Sequence, residues 1–179
     1  MRSRYLYQSV EDRGRVEYTP IFCEAKDAWL GKGYYFWDSE IKDAHWWGQE
    51  HYNGFYVICQ SKYDYDSLEY FDLLGNTDHR KYLFTFAEAL INRYRKSYSV
   101  AETLELLKLI DKSFLKNYKA VRALPESIET KVLRLYFDKN EKYFISNRTR
   151  IQMCVIDLGF LLEGEYVSIY HSLDDITVV

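Results

Sequence analysis

The apolar pattern of this 179-residue chain changes period twice, and that change constrains the fold more than any single motif. Up to about residue 75 the apolar runs are short and strand-like. "RYLYQSV" alternates, "GKGYYFW" is a strand entered through a glycine turn, "GFYVICQSKYD" reads as an apolar strand and "LEYFDLLGN" as a further strand or turn. Between them, Asp38 or Ser39 can N-cap a short helix that runs to about Trp47, with Gly48 as its stop. From Asp78 to Tyr98 the residues Tyr82, Leu83, Phe86, Leu90, Ile91 and Tyr94 fall at helical spacing. A second helix is expected from Ser99, where Glu102 completes a capping box, to about Tyr118. "PESIETKVLRLYF" reads as a helical turn after Pro125 and then a strand, and "KYFIS" as another strand. "RIQMCVIDLGFL" is nearly continuous in apolar residues and so expected to be central. "YVSIYHSL" closes the set, and the tail "DDITVV" is a last strand or a frayed end. The expectation is one α+β domain over residues 1–179 with a helical pair inserted at about 78–122.

Composition narrows the class. Aromatics make up 18% of the chain and Pro only 2 residues, so no stretch reads as a disordered linker. No run approaches the roughly 18 apolar residues of a membrane helix. The start, "MRSRYLYQSVEDRGR", carries no apolar signal segment, and a cytoplasmic protein is expected. Cys23, Cys59 and Cys154 are an odd number without metal spacing, expected as buried free thiols in a reducing compartment. His45, His51, His79 and His171 show no ligand spacing, so no metal is expected.

The stretch "LGKGYYFWDSEIKDAHWW" places four consecutive aromatics behind a tight turn and two tryptophans one helix later. A half-buried core strand followed by a helix is one reading, and a container for a flat aromatic ligand is the other. The stretch resembles the signature of the poly(ADP-ribose) polymerase and diphtheria-toxin type of ADP-ribosyltransferase. That resemblance implies a split antiparallel β-sheet core and NAD as substrate. It matches Tyr35 to the tyrosine that stacks on nicotinamide, Trp46 to the aromatic that closes the sandwich, and Ala44 to the small residue beside the ring. Gly33 falls where backbone approaches the ligand. A flat cation between two aromatic faces is sound physics for such a pocket. Trp47 is read as core.

Two flanking segments occupy the places of the family's other motifs. "YLYQS" puts Gln8, beside Ser9, where the family has its histidine, and "RIQMCVID" puts Gln152 where it has a carboxylate or sometimes Gln. Gln8 can donate to the adenosine ribose as the histidine does, or be a solvated strand residue. Gln152 can hold the nicotinamide ribose 2′-hydroxyl but carries no charge and cannot act as a base. It either bonds backbone or faces a cleft. Chain elongation to poly(ADP-ribose) is not expected, which leaves mono-ADP-ribosyl transfer with Tyr35 and Gln152 as the catalytic pair. A catalytically inactive module that binds NAD, ADP-ribose or a partner is the second reading, and a structural domain the third.

Charge is unevenly placed. Residues 79–122 hold 10 Lys and Arg against 4 Asp and Glu, leaving 14 against 23 elsewhere in a chain of net charge −3. Such charge is either a solvated face or a platform for a polyanion. On one helix, Lys112, Lys116 and Lys119 would share a face, with Arg93 and Arg95 near by, and RNA or DNA would be the favoured acceptor. The resemblance also implies a toxin or phage-defence setting, with an antitoxin protein as a further partner.

Overall fold

A computed structural model of the chain describes residues 2–15, 17–25, 28–125, 134–136, 144–146, 150–162 and 166–173. In chain order the strands and helices are β1 (Ser3–Glu11), β2 (Phe22–Cys23), β3 (Gly33–Asp38), α1 (Ile41–His51), β4 (Tyr56–Asp64) and β5 (Tyr70–Asp72). Then come α2 (Thr77–Tyr94), α3 (Val100–Ile110), α4 (Phe114–Asn117), β6 (Ala120–Ala123), β7 (Arg134–Tyr136), β8 (Phe144–Ser146), β9 (Gln152–Val155) and β10 (Val167–His171). The fold is mixed α+β. Seven strands run in the order β10-β4-β1-β3-β9-β6-β5, with β2 added beside β3, while β7 and β8 pair separately. Among the described residues every strand pairing is antiparallel except β5 with β6.

That parallel pair explains the helices. Two neighbouring parallel strands need a crossover of a dozen or more residues, and α2, α3 and α4 supply it between Asp72 and Ala120. Leu83, Leu104, Leu107 and Phe114 pack in one cluster with Leu30, Phe71, Val121 and Cys154 of the sheet and its loops. Each fully buried Leu or Phe there contributes about 1.5–3 kcal/mol. The helical segment is thus a wall of the core and not an appendage to it.

Several local expectations are corrected. The second helix stops at Ile110, because Asp111 leaves helical backbone (φ −94°, ψ 97°) and binds the amide and hydroxyl of Ser113. Residues 120–123, expected at the end of that helical segment, form β6. Helix α1 starts after Glu40, which makes no side-chain cap. The Asp38 carboxylate is instead buried on Arg122, whose Nε lies 2.7 Å from Oδ2. Gly48 does not stop α1 but lies inside it, where an added Cβ would sit 2.3 Å from the Tyr56 ring. The capping box at Ser99 and Glu102 forms as expected. The turn after Pro125 and the tail "DDITVV" lie outside the described residues.

Register assigns every strand residue a face. β1 pairs with β4 from Ser3↔Asp64 to Glu11↔Tyr56, yet meets β3 in register only at Leu6↔Asp38 and Tyr7↔Trp37. Past that point β2 takes the place beside β3, through Phe22↔Tyr34 and Cys23↔Gly33. The sheet therefore opens between β1 and β3. Tyr7, Ser9, Tyr35, Trp37, Gln152 and Cys154 share the helix-covered face, and Leu6, Gln8, Phe36, Asp38, Arg122 and Met153 share the other.

Candidate functional site

The glycine turn is held from three sides. Gly31 has φ +81°, a backbone conformation that favours glycine. The Tyr35 hydroxyl donates to Gly31 O at 2.7 Å and accepts from Leu30 N at 2.9 Å. From α3, Glu105 Oε1 accepts from Lys32 N at 3.1 Å. Gly33 is required by β9: a Cβ there would lie 2.5 Å from Cys154 Sγ and 2.8 Å from Val155 O. Burial raises the Tyr35 phenol far above its ordinary value and pushes the Cys154 thiol up to about 12, so neither ionises near neutral pH.

So braced, the turn presents Trp29, whose Nε1 donates to Gln152 Oε1 at 2.6 Å. Gln152 is only 8% exposed, and its oxygen accepts this bond from the helix-covered face of β9. Two residues along β3 from Tyr35, Trp37 lies edge-on to Trp46, with ring centroids 6.1 Å apart. The Trp46 ring carries the Arg150 guanidinium 3.6 Å above its centroid, and Arg150 Nε is 3.9 Å from the buried Asp43 carboxylate. Ser9 and Ala44 lie under α1, where the Ser9 hydroxyl donates to the Ala44 carbonyl.

Tyr35 and Gln152 thus share one face of adjacent strands, with Trp29 and Trp37 beside them. Tyr35 packs with the helical layer and Trp46 with α1, so the two predicted stacking residues border different clusters. Gln8 stands apart. Its side chain lies on the opposite face, and all four of its hydrogen-bonding positions are filled. Nε2 donates to Ile21 O and Tyr35 O, each at 3.1 Å, while Oε1 accepts from Ile21 N at 3.0 Å and Tyr166 Oη at 2.9 Å. In this arrangement Gln8 is a staple across the opening between β1 and β3.

The basic residues do not form one helical face. Lys112 lies in the turn after α3, Lys116 on the single-turn α4, and Lys119 just before β6, where its Nζ lies 2.7 Å from Glu69. Arg93 and Arg95 sit at the far end of α2, Arg95 in the left-handed conformation that closes that helix. Tyr82 ties α2 to Asp111 beside Lys112, and from Tyr82 to Arg93 the helix rises about 16 Å. Lys81, Lys96, Lys108, Lys119 and Arg122 each face a carboxylate.

Three residues of the candidate site escaped the sequence reading. Trp37 was legible from spacing, since strand alternation puts it on the face of Tyr35. Trp29 and Arg150 had no local signal, because each reaches the site through a loop. Among the described residues, no group of three or more His, Cys, Asp or Glu could hold a metal ion. No described helix is long and apolar enough to cross a membrane. No family model, curated protein or solved structure matches the chain.

Proposed function

We propose that the protein is an NAD-dependent mono-ADP-ribosyltransferase that modifies a macromolecule, built on a split-sheet ADP-ribosyltransferase core. The observation that carries this reading is the convergence of Tyr35, Trp37, Gln152 and Trp29 on one face of β3 and β9, beside α1 with Trp46. Aromatic faces suit a nicotinamide ring. The Gln152 amide beside them suits a ribose hydroxyl, and the opening between β1 and β3 agrees with a sheet divided at the ligand site. Nucleic acid is the acceptor favoured by the basic helical segment, and a toxin or phage-defence effector with a protein antitoxin is the setting we infer.

A specific observation favours the second reading, an inactive module that binds NAD, ADP-ribose or a partner. Gln8 has no free hydrogen-bonding position for a ribose, and the Gln152 oxygen already holds Trp29. Incubation with NAD labelled in its adenylate moiety, followed by separation of RNA, DNA and protein pools, decides between them. Label in one pool supports transfer. Calorimetric binding of NAD with neither transfer nor hydrolysis establishes the inactive module, and absence of NAD binding removes the transferase reading and leaves only a module for ADP-ribose or a partner.

A further inference from the structure

The Arg150–Trp46 contact carries an inference that rests on the NAD reading and extends it. A guanidinium and a pyridinium are both flat, delocalised cations, and both are attracted to the face of an indole. One indole face holds one such group at a time. Arg150 already takes that place, 3.6 Å above the Trp46 centroid, while Trp37 abuts Trp46 edge-on. The Arg150 side chain is 43% exposed, so its charge can be rehydrated without unfolding anything. The Asp43 carboxylate, 7% exposed, lies 3.9 Å from Arg150 Nε and holds the guanidinium from the side away from solvent.

We propose that Arg150 is an internal competitor for the planar-cation site on Trp46, and that the nicotinamide ring of NAD enters by displacing it. During transfer the bond between ribose C1′ and the pyridinium nitrogen breaks and its electron pair goes to that nitrogen, leaving neutral nicotinamide. The acceptor's nucleophile forms the new bond at C1′ and gives its proton to water. The departing ring has lost the charge that let it compete, and Arg150 returns to Trp46 behind it. Binding is therefore selective for the cationic ring, and product release is driven by the protein's own side chain.

The test is titration calorimetry of wild type, Arg150→Ala and Arg150→Lys with NAD, the cation 1-methylnicotinamide and neutral nicotinamide. Arg150→Lys keeps a positive charge for Asp43 but loses the flat fork. Removing a competitor frees the site for any ring, so Arg150→Ala should tighten all three ligands by the same factor, about 3- to 30-fold for a cation held on an indole. Arg150→Lys should tighten neutral nicotinamide as well. Tightening of the cations alone would reveal simple charge repulsion and overturn the proposal. Unchanged or weaker NAD binding in Arg150→Ala, with wild type binding normally, overturns it while leaving the NAD reading intact. Failure of every variant to bind any of the three overturns both.

Discussion

Trp29 and Gln152, 123 residues apart in the chain, are joined by a 2.6 Å hydrogen bond from the indole nitrogen to the amide oxygen. The bond fixes which way the Gln152 amide points. It also makes Trp29, from the glycine turn, the positioning partner of the residue proposed to hold the ribose hydroxyl. Replacing Trp29 with Phe keeps an aromatic side chain but removes the indole N–H, and a buried oxygen left without its donor costs about 1–3 kcal/mol. Urea denaturation should show that loss. NAD turnover should fall by more than NAD affinity, because the orientation of the amide matters most at the transition state.

Gln152→Ala should likewise cut turnover far more than affinity. Gln152→Glu should raise turnover above wild type, since a carboxylate can accept the same Trp29 bond and adds charge opposite the positive centre growing on ribose. Initial rates with labelled NAD measure both. Equal loss of rate and affinity in the alanine variant would identify a structural amide.

Asp38 and Arg122 form a buried ion pair on the opposite face, joined by a 3.2 Å bond from Tyr63 Oη and by Asp72 at 3.4 Å from Arg122. Removing one charge strands the other. Arg122→Met should lower unfolding free energy by about 3–5 kcal/mol, and the double variant with Asp38→Asn by less than the sum of the single changes. Denaturant titration of the full cycle checks this.

Acid should weaken the β5–α2 corner through His79. Its Nδ1 accepts from Asp72 N at 2.9 Å, so the folded protein holds the ring neutral. Desolvation lowers its pKa below the ordinary 6.5, outweighing Asp72 and Asp78, which pull it upward. The unfolded chain therefore binds the proton more readily. Stability from this group is intact above about pH 6.5 and falls as pH drops below it. His79→Asn, which retains an acceptor without titrating, should flatten the melting temperature over that window.

If nucleic acid binds the helical segment, Lys112 and Lys116 are exposed to meet it, whereas Lys119 is half-buried on Glu69. Charge reversal at both should reduce transfer to RNA or DNA and lower the salt dependence of binding by up to about 0.9 log units for each lost phosphate contact, while NAD hydrolysis persists. Lys119→Glu should act differently, because it sets a second carboxylate against Glu69 and destabilises the fold.

The period changes of the sequence located β1, β3, β4, α2 and the start of α3, since each of these rests on local alternation, a turn or a cap. β6 was hidden for a physical reason. Its four residues include the buried Arg122, and Phe114 and Tyr118 just ahead continue a helical spacing that the chain does not use. Gln8 was hidden by register. No local pattern reveals that β1 leaves β3 after Tyr7, so nothing in "YLYQS" tells that its glutamine will be spent on Ile21, Tyr35 and Tyr166 across the opening.

That parting of β1 from β3 has a mechanical consequence. Between β1 and β3 themselves the described links are two register pairs, the Ser39 N to Tyr5 O bond, the Gln8 amide and the Arg4–Asp38 contact at 4.0 Å. Tyr63 Oη on Asp38 and Leu162 N on Lys62 O also cross from one half of the sheet to the other. α1, with Trp46, lies mainly over β1 and β4, while Tyr35 and Gln152 ride on β3 and β9. The candidate site residues thus sit on both sides of the β1–β3 seam. How far Trp46 stands from Tyr35 and Gln152 therefore depends on that seam, which the Gln8 side chain stitches from the opposite face of the sheet.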